Sequence, residues 1–327
     1  MKKKYLLTTI SLLYLVALQA QQIEKILEVP WNTENGIKTE LHPAGNYGLS
    51  EFAMVSENEV AFLCDVEQKV KIYNLNNQEL TYEFAYDHGN KNFTYDQENG
   101  LFYIIDWEYL YVHCKDGSLN RKIEYNNVEL PTFKELKALD NHVYITSNQV
   151  TYPVVRYGEP VDPTEQIANA IDGRILNDGY YANNPGFSKG YNTSFQITKN
   201  GITTDYTIDL SKNSSGISPL GVLEDYIVLI EYYTKDGEPY NYLNYLLIYS
   251  KSRQRIINKV NIPKIHYTFV SNKFKVANNK VYHLITTPDN ALLFKISFSN
   301  LKSTVPEKSQ YPDYLDYEFH YNRDLQY

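Results

Sequence analysis

Three carboxylates, Asp65, Asp106 and Glu231, each end a run of apolar and aromatic residues and stand at the edge of a turn. The runs are EVAFLCD (59–65), GLFYIID (100–106) and DYIVLIE (225–231). The same phrase returns three more times with uncharged ends. HVYITS (142–147) ends on Ser147, DGYYANN (178–184) on Asn183 and Asn184, and KVYHLIT (280–286) on Thr286. If these ends form one ring, its carboxylates offer two kinds of chemistry. Hard oxygen donors suit calcium, which takes roughly six to eight of them, and paired carboxyls suit general acid and base work. The Asp positions also suit a structural role, in which the carboxylate accepts N–H groups of the turn that follows.

Aromatic residues beside the same ends suggest a second chemistry. The two longest turns, 183–191 (NNPGFSKGY) and 232–242 (YYTKDGEPYNY), carry Phe187, Tyr191, Tyr232, Tyr233 and Tyr240, and Trp107 directly follows Asp106. Rings on a loop can stack on sugars or peptide groups, and long loops on a rigid scaffold commonly carry binding. Tyrosine is abundant throughout, at 32 residues against 13 Phe and 2 Trp. Most of these tyrosines therefore fill half-buried strand positions with the hydroxyl at water.

Other chemistries find no support in the sequence. The seven histidines show no H-E-x-x-H spacing, and the chain has no G-x-S-x-G elbow, phosphate-cradling glycine loop or C-x-x-C. His113 and His283 fall inside apolar runs and read as core histidines. Cys64 and Cys114 suit either one disulfide in an oxidising compartment or two buried thiols, and their spacing does not choose. A formal net charge of -8 argues against a nucleic-acid partner, because phosphate binding requires a basic surface.

The elements that must position these residues are short strands. The first three phrases end at Asp65, Asp106 and Ser147, a period near 40 residues that marks the blades of a propeller. One blade reads as four antiparallel strands: EFAMVS (51–56), EVAFLCD, KVKIYNL (69–75) and ELTYEF (79–84). Asp116-Gly117 and Asn200-Gly201 supply hairpin turns that need positive φ. Six phrases predict six blades. The last has only KFKVA (273–277), KVYHLIT and ALLFKIS (291–297), while IEKILEVPW (23–31) is a strand without a blade. Pairing that N-terminal strand with the last blade would close the ring and remove an exposed edge. Between residues 152 and 190, Pro153, Pro160, Pro163 and Pro185 with several Gly and Asn-Asp turns blur the blade pattern.

The segments VAFLCDVEQKVKIYNLNNQEL (60–80) and FYIIDWEYLYVHCKDGSLNRKI (102–123) resemble the repeat of six-bladed propellers of the NHL and related exported bacterial families. In that repeat a strand ends in Asp and a short turn leads to a strand that runs into a hairpin. The resemblance implies the fold and no particular activity. The basic residue that often follows the turn is kept at Lys69 and absent from the second blade.

At the N-terminus, Lys2, Lys3 and Lys4 precede an apolar stretch (5–18) and then Gln19-Ala20-Gln21-Gln22, the layout of a secretory signal peptide. The stretch is shorter than the roughly 20 apolar residues of a membrane span. The expected organisation is a signal peptide over 1–20, a propeller over 21–302 and an acidic, aromatic tail over 303–327. The expected protein is periplasmic or at the cell surface and binds a peptide, protein or glycan without a cofactor. A calcium-dependent hydrolase or lyase using Asp65, Asp106 and Glu231 is the second expectation.

Overall fold

In the strand Glu59–Cys64 every residue after Glu59 is buried, whereas in Leu80–Ala85 only Phe84 is. A strand covered on both faces needs apolar residues at both alternating positions, and a strand at the outer edge needs them at few. This gradient, repeated along the chain, is what a ring of radially packed blades requires. The computed structural model describes residues 23–297, apart from 43–44, 88–91, 107, 125–134, 148, 184–191, 211–213, 235–241, 264–266 and 269. The predicted signal peptide and C-terminal tail lie outside the described residues, as do Trp107, Asn184, Phe187, Tyr191 and Tyr240.

Six antiparallel sheets make the ring. From the axis outward, the first blade is Leu49–Met54, Glu59–Cys64, Lys69–Asn74 and Leu80–Ala85. The second is Asn92–Asp96, Leu101–Ile105, Tyr109–Cys114 and Leu119–Glu124. The third is Glu135–Leu139, His142–Ser147 and Val150–Arg156, with only Glu159–Pro160 outermost. The fourth is Arg174–Ile175, Tyr180–Asn183, Asn192–Lys199 and Ile202–Asp209. The fifth is Ser214–Leu223, Tyr226–Thr234, Tyr242–Ser250 and Arg255–Ile262. The sixth is Phe274–Ala277, Lys280–Thr286, Asn290–Ile296 and, outermost, Ile23–Pro30.

The N-terminal strand therefore closes the ring. Ile23 pairs with Ile296 and Pro30 with Asn290, across one bulge. The chain that follows is pinned to both neighbours. Trp31 Nε1 donates to the Thr287 carbonyl at 2.7 Å, Tyr73 donates its hydroxyl to the Asn35 carbonyl at 2.8 Å, and the buried Lys71 ammonium donates to the Gly36 carbonyl. Blade six is thus tied to blade one by side chains as well as by strand pairing.

Apolar side chains fill the wedges between blades. Clusters join blades six and one, one and two, two and three, four and five, and five and six. Among the described residues no such cluster joins blades three and four. That seam lies in the stretch where prolines blur the sequence pattern. There the chain makes a short helix, Pro163–Ala168, capped by Asp162, in place of a full outer strand.

Two local features differ from or extend the sequence reading. Asn200 and Gly201 both have positive φ and join adjacent strands directly, as a two-residue hairpin needs. Asp116-Gly117 instead belongs to a longer turn over residues 115–118, because only Gly117 has positive φ. A Cβ at Gly117 would sit 2.2 Å from Cβ of Phe84, so the glycine also allows the first blade to pack on the second. His113 is buried and stacked on Phe84, and His283 is buried and stacked on Phe274. Cys64 and Cys114 are both free thiols.

Candidate functional site

Each blade turns from its second to its third strand at one rim, and the sequence-predicted ring maps to that rim except at Glu231, which lies inside the strand Tyr226–Thr234. Asp106 is the cap of its own turn. One oxygen accepts the N–H groups of Glu108 and Tyr109 at 2.7 and 2.6 Å, and the other accepts the Tyr111 hydroxyl at 3.0 Å. Asp65 accepts the Ser50 hydroxyl at 2.5 Å. Glu231 is buried and paired with Lys259 at 2.6 Å, whose ammonium also lies over the Tyr245 ring. Ser147 and Thr286 are buried, and the Thr286 hydroxyl oxygen accepts the Thr268 N–H at 3.0 Å. Asn183 donates to Gln196 at 3.2 Å. The three carboxylates thus have partners close to their own strands, and no group of three or more His, Cys, Asp or Glu that could hold a metal occurs among the described residues.

The aromatic candidates divide. Strands on blade five run on to Thr234 and resume at Tyr242, so Tyr232 and Tyr233 belong to a strand rather than to the loop. Tyr232 faces inward. Burial raises its phenol above the ordinary range despite the nearby Arg174 charge and a hydrogen bond with Ser218.

A concavity lies on the axis. It has a volume of about 330 Å³ and opens at the rim where each first strand turns into the second. Residues from every blade line it, among them Ala53, Asp96, Lys137, Arg174, Leu220 and Lys275. The innermost strands carry these side chains because in a strand only every second residue faces the axis. In Glu135–Leu139, Glu135 and Lys137 line the axis while Leu136, with Ile145 of the next strand, joins the apolar wedge against blade two.

The cavity floor is built from charges that meet across blades. Arg174 of blade four grips Glu135 of blade three, Nη2 to Oε1 at 2.7 Å and Nε to Oε2 at 2.6 Å. Lys275 of blade six faces Glu51 of blade one at 2.8 Å. Glu51 also accepts from Asn92 at 3.1 Å and Asn272 at 2.9 Å, and Asn92 in turn accepts the Leu136 N–H at 3.3 Å. Lys137 makes no hydrogen bond or ion pair with the described residues.

Burial sets the protonation of these groups in opposite ways. It raises the Glu51 carboxyl, and Lys275 and Asn272 only partly offset that. It works in the same direction on Glu135, but there Arg174, with Lys137 and Lys275 beyond it, outweighs burial and holds the carboxyl below its usual range. Burial pushes Lys137 down to about 8. Glu135 opposes that shift, while the cations Arg174 and Lys275 add to it.

The sequence reading missed this cavity. A signal was present in EFAMVS and KFKVA, where Glu51 and Lys275 interrupt innermost strands otherwise free to be apolar. Glu135 and Arg174 gave less, since Arg174 lies in the blurred stretch.

No family model matches the chain, and no curated protein matches it. Among solved structures it is similar to the hydrazine synthase of Kuenenia stuttgartiensis, at 11% identity over 72% of each chain with a TM-score of 0.46. It is also similar to Hsv2 of Kluyveromyces lactis, at 9% identity over 72% of this chain and 71% of that one, TM-score 0.45. A third is the WD40 domain of Pan2 from Neurospora crassa, at 10% identity over 87% of this chain and 98% of that one, TM-score 0.45. At these identities the likeness is one of chain path and transfers no residue roles.

Proposed function

We propose that this chain is an exported binding protein that recognises a peptide, protein or glycan through the rim where second strands turn into third strands. One observation carries the reading. The longest turns of that rim, residues 184–191 and 235–241, leave adjacent blades, the fourth and fifth, side by side. The corresponding turns of the other blades are confined to 65–68, 106–108, 148–149 and 287–289. Long loops on a rigid ring place contact groups without moving the scaffold. Phe187, Tyr191, Tyr233 and Tyr240, with Trp107 from blade two, are the contact residues in this reading.

Three lines of support stand beside it. The basic start and short apolar stretch before residue 21 argue for export. The Asp-ended blade phrases of blades one and two support an NHL-like repeat. The partners of Asp106 and Glu231 within their own blades favour binding over calcium-dependent hydrolysis.

The test uses the purified chain on a glycan array and a displayed peptide library. Replacing 184–191 and 235–241 each by Asn-Gly should abolish the binding found with the parent chain and leave thermal unfolding unchanged. Binding that survives both replacements overturns the proposal. Secretion is checked by N-terminal sequencing of the exported chain, which should begin at Gln21.

A further inference from the structure

The axial cavity opens at the rim opposite the loops of the proposed function, and nothing in that function uses its charges. Three cations, Lys137, Arg174 and Lys275, line it, and Glu135 lines it beside them. Glu51 stands behind Lys275. Asp96, Glu98, Asp140 and Asp178 also line the cavity, toward its mouth, so the lining as a whole is acidic. On the floor, however, Glu135 and Glu51 each engage one cation, and the third, Lys137, is left without a pair. Glu135 is gripped by Arg174, and Glu51 is engaged by Lys275, Asn92 and Asn272. Lys137 has three N–H donors, a position in the cavity wall, and no hydrogen-bonding or ion-pair partner among the described residues.

We propose that the axial cavity binds one carboxylate group, held by Lys137 with Arg174 and Lys275 beside it. A monoanion pairs with the one unpartnered ammonium, whereas the second charge of a phosphate dianion would find no free cation in a poorly solvated site, which is costly. The acidic mouth acts in the same direction. Asp140 and Asp178 line the entrance and repel a second negative charge. Asp96 lines it too, but its oxygens already accept the N–H groups of Glu98 and Asn99 and the Asn99 side chain. A cavity of about 330 Å³ lies at the small end of ligand sites and suits a group the size of one amino-acid residue. Two sources offer that chemistry: a free small acid, or the C-terminal carboxylate of a peptide.

Binding should depend on pH through Lys137. The groups that face it are Glu135 on its own strand, Arg174 of the next blade, Lys275 across the axis, and Asp178, with Asp96, Glu98 and Asp140 nearer the mouth. An arriving carboxylate favours the charged ammonium, so binding above pH 8 takes up a proton.

The experiment is calorimetric titration of the purified full chain with sodium acetate, N-acetyl-Gly-Ala-Ala, its C-terminal amide and inorganic phosphate. The expected result is saturable binding of at least one carboxylate probe at pH 7, at least tenfold weaker for the amide and for phosphate. Binding should weaken at pH 9 with proton uptake seen as a dependence on buffer ionisation heat. Lys137→Met should weaken it at least tenfold, and replacing the loops 184–191 and 235–241 should leave it unchanged. Preference for the peptide acid over acetate assigns the site to chain ends, and the reverse assigns it to free acids. Equal binding of acid and amide by the parent chain, tighter phosphate binding, or no saturable heat with either carboxylate overturns the proposal.

Discussion

Arg174 meets Glu135 through two separate nitrogen–oxygen contacts at 2.7 and 2.6 Å, and the pair spans the seam between the third and fourth blades. Elsewhere in the ring apolar clusters fill the seams. Here the described joints are polar. Beside the ion pair, Thr151 donates its hydroxyl to the Gly173 carbonyl at 2.7 Å, and the strand Ile171–Asp172 pairs with Val150–Arg156. A seam held by polar contacts depends on each partner, because removing one leaves the other desolvated and unpaired.

Arg174→Ala should therefore destabilise the chain by about 2–4 kcal/mol, read by urea unfolding. Hydrogen exchange should show Glu135–Leu139 and Arg174–Ile175 losing protection before the first strands of blades one and five. A loss below about 0.5 kcal/mol would place the strength of the seam elsewhere.

Closure gives a second prediction. Leu27 is fully buried between the last blade and the first, on the strand that completes the ring. Leu27→Ala should cost about 3 kcal/mol, from lost transfer energy and the cavity left behind. The exposed neighbour Lys25 is the control, and Lys25→Ala should change stability by less than about 0.5 kcal/mol. Equal effects would mean that the strand contributes little to closure.

Stability should rise and then fall on the alkaline side. Burial pushes Lys137 and Lys273 from 10.5 down to about 8, so between these values the unfolded chain binds more protons and stability increases with pH. Cys64, raised by burial from 9.0, and Tyr103 and Tyr144, raised mainly by burial from 10.0 to about 12, act in the opposite sense. Their unfolded forms lose protons that the folded forms keep. A maximum is expected between about pH 9 and 10 in denaturant titrations across pH 7–11. Lys137→Met should raise stability at pH 7 by roughly 1–3 kcal/mol and reduce the rise above pH 8. A steady decline from pH 7 would contradict the buried lysines.

Calcium offers a fourth test, because Asp106 already caps its turn. Asp106→Ala should destabilise by about 1 kcal/mol through loss of those hydrogen bonds, and adding millimolar calcium to the parent chain should leave the unfolding midpoint unmoved. A calcium-dependent rise that Asp106→Ala or Glu231→Ala removes would restore the hydrolase or lyase reading.

The blade repeat, the number of blades and the closing strand were legible in the chain because each is a local pattern. A strand covered on both faces must be apolar at consecutive positions, and a turn must carry residues that tolerate its backbone. Such signals survive wherever the chain is read, as at residues 59–65, at Asn200-Gly201 and in the unpaired run 23–31. They faded between 152 and 190, where a short helix and polar joints replace the apolar wedge and no two-residue period remains to be seen.

The axial site was assembled by tertiary structure, with only Glu51 and Lys275 marked in the sequence as charges within innermost strands. Glu51, Asn92, Glu135, Lys137, Arg174 and Lys275 are spread across most of the chain, and each looks like an ordinary charged or polar residue in a strand. Only ring closure brings six innermost strands to one axis, where burial and mutual charge change what those residues can do. The carboxylates that drew attention first, Asp65, Asp106 and Glu231, show the converse. Asp65 and Asp106 do follow strand ends, while Glu231 lies inside the strand Tyr226–Thr234, and the partners that engage them, Ser50, Tyr111 and Lys259, lie on other strands of the same blade. Strand pairing within blades and ring closure between them, rather than spacing along the chain, determined which charges found a partner and left Lys137 facing the cavity without one.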